Sequence, residues 1–155
     1  MHLNSLSKRG AIIAAARSLV GTPFRHQGRV PGRGLDCVGL LIVCARQTGI
    51  SNYDFRAYHR TPSHGALEKH MSDAGLLAID ESEPMLPAQI ALMRFHGAPQ
   101  HLALLSTIAD FPNRSASATL GMIHAWQGAG SVVEHRFDQA WQRRLVQRYE
   151  FPGIT

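Results

Sequence analysis

The chain has 155 residues, the length of one domain, and we predict a single domain over 1–155. A hydrophobic fraction of 45% and a charged fraction of 17% are typical of globular proteins and exclude an intrinsically disordered chain. Arginine supplies 14 of the 16 basic residues, and the net charge of +5 favours anionic partners. Because these arginines are scattered, the sequence predicts no specific nucleic-acid site.

Two cysteines are too few for a disulfide framework, whereas nine histidines are a surplus that suggests a general base or a metal ligand. No stretch approaches 18 consecutive apolar residues, so the sequence predicts no membrane insertion. Its first residues lack the order of a signal peptide, and we expect no secretory export.

The first half of the sequence has helical patterns. We predict a helix over 7–20 that is capped by Ser7 and ends at Gly21, followed by a glycine-rich loop over 21–35. Asp36 is the predicted N-cap of a buried helix over 37–48. Thr61-Pro62 is predicted to open a third helix, which ends at Gly75.

The second half has strand patterns. Strands are predicted over 90–95, 101–108, 120–126, 131–137 and 146–151, and Asp138 is predicted to cap a short helix with Trp141 and Leu145 on its apolar face. Helices followed by an antiparallel sheet indicate an α+β fold.

Cys37 is the first candidate for chemistry. It occupies the first turn of a helix that follows a glycine-rich loop, where the helix dipole and free N–H groups stabilise a thiolate. We therefore predict a lowered pKa for Cys37, and N–H groups able to stabilise an oxyanion. Cys44 lies two turns further along and is expected in the core.

His101 and His124 lie in two strands that we expect to pair as an antiparallel hairpin. In that hairpin residue 101 is predicted opposite residue 124 or 125, so both imidazoles can face the same way. One histidine can then take the cysteine proton while the other orients it.

Several blocks of the sequence resemble the NlpC-type cysteine peptidases, papain-like enzymes that cut peptidoglycan stem peptides. The blocks are 21–27 (GTPFRHQ), 34–40 (GLDCVGL), 100–105 (QHLALL) and 122–125 (MIHA). The tail, 141–145 (WQRRL) with 151–153 (FPG), resembles the branch from phage tail and gene-transfer-agent clusters. This resemblance implies a papain-like fold with the nucleophile at a helix N-terminus packed on a C-terminal antiparallel sheet.

By the same resemblance, Cys37 is the nucleophile, His101 the general base and then acid, and His124 the residue that orients it. The implied reaction is amide hydrolysis through a thioester, at the bond between D-glutamate and the diamino acid. Neither a cofactor nor a metal ion is expected.

The resemblance also implies that Asp36, Phe24 and His26 contact the substrate. Phe24 stands where many members have a tyrosine, and His26 is placed to supply the missing hydrogen-bond donor. Val38 replaces a frequent serine, and 88–89 (AQ) replaces a Gly-Asp turn. These departures concern substrate contacts and efficiency more than the three catalytic positions.

The implied partners are peptidoglycan stem peptides and other phage tail-tip or hub proteins. The implied location is the virion tail tip, after synthesis in the bacterial cytoplasm and with action in the host periplasm and cell wall. The sequence does not distinguish this from intracellular recycling of cell-wall peptides.

Two alternatives stay open. One is a structural tail-tip component that keeps the peptidase fold with little or no activity. The other is a catalytic zinc site formed by Cys37, His101 and His124 with a water molecule.

Overall fold

A computed structural model describes residues 5–59, 65–97, 99–108 and 119–154. Four α-helices lie in them: α1 Ser5–Arg17, α2 Cys37–Gln47, α3 Ala66–Asp73 and α4 Gln139–Gln142. The strands are β1 Arg29–Val30, β2 Gly34–Leu35, β3 Leu77–Ile79, β4 Ile90–Met93, β5 His101–Ile108, β6 Thr119–Trp126, β7 Ser131–Arg136 and β8 Leu145–Glu150. The fold is α+β, as predicted.

Six of the strands form one antiparallel sheet in the order β3-β8-β4-β5-β6-β7. Helices α1 and α2 pack together, and both contact β5. Alternation along β5 places Leu102 and Leu104 in the core beneath the helices, and Ala103 and Leu105 in a smaller core on the other face with Phe137. Strand β5 is therefore buried on both faces.

Helix α1 differs from its prediction at both ends. It begins before Ser7, which therefore lies inside the helix, and it ends at Arg17 rather than Val20. The chain leaves the helix because Gly21 donates its N–H to the carbonyl oxygen of Val132 in β7 at 2.9 Å. Before Gly21, Leu19 and Val20 donate to the carbonyl oxygens of Ala16 and Arg17, so a 3₁₀-type turn takes the place of the last α-helical turn.

The five strand predictions are confirmed within one or two residues, but three details differ. The edge strand β3 was not predicted, and Leu145 begins β8 instead of extending α4. The predicted loop over 21–35 contains the short antiparallel pair β1–β2. The predicted start of the third helix at Thr61-Pro62 lies outside the described residues.

Two ion pairs connect α1 to the sheet, one of them buried and the other exposed. Arg9 of α1 forms two parallel hydrogen bonds to Glu150 of β8, at 2.9 and 2.8 Å. Arg17 binds Glu134, which also accepts from Ser106 at 2.7 Å. None of the helices in the described ranges is long and apolar enough to cross a bilayer.

Candidate active site

Asp36 fixes the start of helix α2, as predicted. Its backbone is extended, and its carboxylate oxygen Oδ1 accepts the N–H of Gly39 at 2.7 Å. This is the standard N-cap arrangement, which satisfies one of the free donors of the first turn. Cys37 is consequently the first helical residue, with the positive end of the helix dipole at its backbone.

The glycine-rich loop packs closely on that first turn. A side chain at Gly39 would collide with the carbonyl oxygen of Gly28, so the approach of the loop requires a glycine there. Gln27 adopts a left-handed φ of 58° and donates its N–H to Asp36 Oδ2 at 2.7 Å. The loop and the helix are thus held by one carboxylate.

Asp36 is also the centre of a buried network. Tyr58 donates its hydroxyl to Oδ2 at 2.6 Å, and a guanidinium nitrogen of Arg29 lies 3.3 Å from Oδ1. Arg29 in turn binds the Tyr58 hydroxyl at 2.9 Å and Asp54 at 3.0 Å. Only 3% of the surface of Asp36 is exposed, and its carboxylate is hydrogen-bonded to protein groups. A contact between Asp36 and substrate stays a prediction.

The other two predicted substrate contacts lie around this network. His26 is half-buried, with Nδ1 4.0 Å from Asp36 Oδ2 and its ring 5.5 Å from the Tyr58 ring. Phe24 is half-buried against the main core, and its backbone forms an isolated β-bridge with Leu35. Sequence reasoning did not identify Tyr58, because its proximity to the loop is tertiary.

The prediction of a lowered pKa for Cys37 is wrong. Burial is the largest effect and the neighbouring Asp36 charge is the next, and the pKa of the thiol is raised to about 12. The backbone N–H groups of Leu102, Val38 and Cys37 itself favour the thiolate but do not compensate. The thiol is therefore protonated at neutral pH. Its contact with the Leu102 N–H also places the sulfur beside the backbone of β5.

His101 and His124 are brought together, as the hairpin prediction required. His101 Nε2 lies 2.7 Å from His124 Nδ1, and both residues are buried. The predicted register differs from the observed one, in which Leu104 pairs with Ile123. Continued by one residue, the observed register would put Ala103 opposite His124. His101 is two residues from Ala103, so the two imidazoles share a face as diagonal neighbours.

A third histidine continues the contact. His124 Nε2 lies 2.8 Å from His135 Nε2, and His135 Nδ1 lies 3.0 Å from the carbonyl oxygen of Arg136. The sequence signal for His135 was only its position in the strand after His124. Pairing of Met122 with His135 in the β6–β7 register brings it beside the other two.

When all three imidazoles are neutral, these hydrogen bonds determine which ring nitrogen of each histidine carries the proton. A carbonyl oxygen can only accept, so His135 carries its proton on Nδ1 and accepts at Nε2. His124 must then donate from Nε2 and accept at Nδ1, and His101 must donate from Nε2. The lone pair of His101 is therefore on Nδ1, the nitrogen not engaged with His124.

Burial keeps the first two rings neutral. It lowers the pKa of His101 to about 3. For His124, burial and then the neighbouring His101 and His135 lower the pKa to about 2. A neutral imidazole is the form that can act as a base.

Aromatic rings cover the histidine chain. Trp126 stacks on His124 with ring centroids 5.7 Å apart, and the Trp141 ring lies 5.1 Å from His124 and 5.4 Å from His135. Phe95 lies 5.3 Å from His101.

In the described parts of the chain, no three His, Cys, Asp or Glu side chains are arranged to hold a metal ion. The facing nitrogens of His101 and His124 bind each other instead of converging on a common point.

Two solved structures are similar to the chain over nearly its whole length. One is described as similar to a lipoprotein of the NLP/P60 family, from Staphylococcus aureus subsp. aureus Mu50. It has a TM-score of 0.58 and 18% identity, and the match covers 94% of this chain and 41% of that chain. The other is the NlpC/p60 domain of the peptidoglycan hydrolase SagA. It has a TM-score of 0.55 and 20% identity, and the match covers 92% of this chain and 97% of that chain. This chain has the NlpC/P60 fold.

The predicted fold is thereby confirmed. The chain spans less than half of the length of the Staphylococcus aureus protein, so it corresponds to one part of that protein. No protein-family model matches the sequence, and a search of curated proteins found no match. An NlpC/P60 fold alone does not establish an activity, which has to be argued from the side chains.

Proposed function

We propose that the chain is a cysteine peptidase that hydrolyses amide bonds in peptidoglycan stem peptides. The observation that carries the proposal is the placement of Cys37 at a helix N-terminus beside β5. Strand β5 begins with His101, which is hydrogen-bonded to His124. A nucleophile, a neutral base and a residue that orients the base are the groups that covalent amide hydrolysis needs. The name of the SagA domain's parent, a peptidoglycan hydrolase, supports the substrate class.

The raised pKa of Cys37 favours general-base attack over a resting thiolate–imidazolium pair. His101 Nδ1 takes the thiol proton while Sγ bonds to the amide carbon, and the carbonyl electron pair moves to oxygen. The N–H of Cys37 lies at the helix N-terminus and stabilises this oxyanion. Because the thiol loses its proton only during attack, the resting enzyme is protected from oxidation.

The tetrahedral intermediate then collapses to a thioester. The C–N bond breaks, and the His101 imidazolium donates its proton to the departing amine. Water attacks the thioester with His101 again as base, which releases the carboxylic acid and returns the proton to sulfur. His124 Nδ1 accepts from His101 throughout, and it stabilises the imidazolium that forms in each half-reaction.

The bond between D-glutamate and the diamino acid is the proposed target, and a phage tail tip is the proposed setting. The resemblance of segments 141–145 and 151–153 to the phage-tail branch supports that setting, and an arginine-rich surface suits an anionic cell wall or neighbouring tail proteins. In this proposal the protein is made in the bacterial cytoplasm and acts in the host periplasm and cell wall.

A structural tail-tip role is the second candidate. It is favoured by the protonated resting thiol of Cys37 and by Phe24, which removes a hydroxyl donor from the loop. This candidate predicts stable co-purification with other tail-tip proteins and no release of peptide fragments.

Digestion of purified peptidoglycan, with the released fragments identified by mass, tests the proposal and names the bond. We expect fragments from the wild type, none from Cys37→Ala, and wild-type yields from Cys44→Ala, since Cys44 is a core residue of the same helix. Fragments from Cys37→Ala at the wild-type rate would contradict the assigned nucleophile. No fragments from a folded wild type would favour the structural role.

A further inference from the structure

Three arginines meet at the end of the sheet where His101 begins β5. Arg94 follows β4 directly, and Arg143 and Arg144 precede β8; the N–H of Arg94 donates to the carbonyl oxygen of Arg144 at 2.8 Å. All three side chains are exposed, and within the described residues none of them forms an ion pair with Asp or Glu. We refer to Arg94, Arg143 and Arg144 as the arginine cluster.

Aromatic rings join this cluster to the catalytic histidines. The Arg144 guanidinium lies 4.9 Å from the Phe95 ring centroid and 5.9 Å from that of Trp141. Phe95 in turn contacts the His101 ring, and Trp141 contacts the His124 ring. Arg144 is thus separated from the proposed base by a single aromatic ring. Both rings make cation–π contacts that favour this position of the guanidinium.

Two adjoining clefts open on this surface. Both are lined by Phe95, Ala140 and Arg144; one extends to Trp126 and the other to the remaining arginines of the cluster. None of the described residues that line them is Asp or Glu. The clefts therefore combine apolar walls with uncompensated positive charge beside the proposed catalytic site.

We propose that the arginine cluster is a binding site for a carboxylate of the peptide substrate, with Arg144 as its main ligand. A guanidinium is suited to bind a carboxylate through two parallel N–H···O bonds, and the uncompensated charge favours an anion over a neutral amide. This inference rests on the proposed function for the identity of the peptide. The Arg144 guanidinium lies within about 10 Å of the His101 ring, because it is 4.9 Å from the Phe95 ring centroid and that ring is 5.3 Å from the His101 ring. A residue spans about 3.5 Å, so a carboxylate two or three residues from the scissile bond can cover this distance.

In a stem peptide whose diamino acid is lysine, two carboxylates have this chemistry: the α-carboxylate of D-glutamate and the C-terminal carboxylate. Synthetic stem peptides with both groups free, or with one or the other converted to a carboxamide, distinguish them. Binding is measured by calorimetry on the Cys37→Ala protein, in which no hydrolysis can occur, and KM is measured on the wild type. We expect amidation of the recognised carboxylate to raise Kd and KM about tenfold, and added salt to reduce this difference.

Arg144→Gln should raise Kd about tenfold for the free-acid peptide and less than twofold for the peptide amidated at the recognised group. Arg144→Lys, which keeps the charge but loses the planar fork, should fall between them. Arg46→Gln is the matched control, because Arg46 lies at the other end of α2 from Cys37 and should leave Kd unchanged. Thermal melts of each variant verify that it is folded.

The inference is overturned if neither carboxamide weakens binding, or if Arg144→Gln weakens binding of all peptides equally. Its failure is distinguishable from failure of the proposed function. Carboxylate-dependent binding without hydrolysis by the wild type would retain the anion site and refute the peptidase. Hydrolysis with no preference for the free acid would retain the peptidase and refute the anion site.

Discussion

His124 and His135 face each other through their Nε2 atoms, 2.8 Å apart, and only one of the two nitrogens can carry the shared proton. The Arg136 carbonyl oxygen, 3.0 Å from His135 Nδ1, decides which one does. It places the proton on His124 Nε2. His124 Nδ1 is then an acceptor, so that His101 carries its own proton on Nε2. His135 is thus a positioning residue that sets the tautomer of a base it does not touch.

Replacement of His135 by phenylalanine should therefore impair catalysis more than binding. Without an acceptor at this position, His124 can adopt the other tautomer and no longer has to accept from His101. We expect kcat to fall about tenfold or more with KM nearly unchanged, since loss of a group that orients a catalytic or liganding histidine commonly costs 10–100-fold. Steady-state kinetics on a stem peptide measures the split.

His135→Gln is the control for that variant, because its amide oxygen can accept from His124 and should restore much of kcat. Nitrogen-15 NMR of the histidine rings reports the tautomer directly. In the wild type His101 should show an unprotonated Nδ1, and in His135→Phe a mixture. Equal activity of wild type and His135→Phe, with an unchanged His101 spectrum, would refute the positioning role.

The local parts of the fold were predictable from the sequence because they depend on neighbouring residues. Asp36 caps α2 by accepting the N–H of Gly39, three residues further along the chain. The bounds of β5 follow from a run of apolar residues between two turns. Strand β3 was missed because Leu77 and Ala78 are exposed at the sheet edge and show no alternation. It exists because β8 offers a pairing partner.

The chemistry of the site was less predictable. The position of Cys37 at a helix start suggested a low pKa, since the dipole and the N–H groups are local features. The larger opposing effect, burial against β5, is tertiary. The charge of Asp36 comes from the neighbouring residue, but its position depends on the tertiary contacts with Tyr58 and Arg29. His135 joins the histidine chain through the β6–β7 register, which depends on pairing across the sheet.

The raised pKa of Cys37 predicts slow alkylation of the resting protein. With a pKa near 12, the thiolate fraction increases about tenfold for each pH unit over the whole accessible range. In Cys44→Ala, which leaves Cys37 as the single thiol, we expect the iodoacetamide rate to rise in this way from pH 6 to pH 9 without a plateau. Mass spectrometry follows the modification.

The reciprocal variant, Cys37→Ala, measures the other thiol. Burial also raises the pKa of Cys44 to about 12, but Cys44 is fully buried whereas Cys37 is half-buried. Its alkylation should therefore be slower at every pH. A plateau of the Cys37 rate below pH 7 would instead reveal a preformed thiolate and contradict the general-base mechanism.

The two buried histidines predict a loss of stability in mild acid. Their pKa values in the folded protein, about 3 and about 2, lie below the value near 6.5 expected after unfolding. The unfolded state therefore binds more protons below pH 6.5, and stability is lost as the pH falls from there. Each of His101 and His124 should cost about 2 kcal/mol at pH 5 relative to pH 7.

Urea denaturation between pH 5 and pH 7 measures this slope. His124→Asn removes one of the two groups and should make the dependence on pH about half as steep, whatever its effect at pH 7. Identical slopes in the wild type and His124→Asn would show that these histidines do not titrate on unfolding.

Loss of the Asp36 carboxylate should destabilise the whole loop–helix junction. Asp36→Ala leaves the Arg29 guanidinium buried without one of its two carboxylate partners, and it leaves the N–H of Gly39 and of Gln27 without acceptors. We expect a loss of about 3 kcal/mol or more in urea denaturation. Tyr58→Phe removes one donor to the same group and should cost about 1 kcal/mol.

The matched control is Asp73→Ala, which breaks the exposed ion pair with Lys69 at the end of α3 and should cost less than about 0.5 kcal/mol. A loss below about 1 kcal/mol for Asp36→Ala would mean that the hydrogen bonds of this carboxylate contribute little to the stability of the protein. Asp36 would then be free to act on substrate. A large loss means that the same side chain that starts α2 also keeps Cys37 beside β5, since the loop, the helix start and Tyr58 all depend on it.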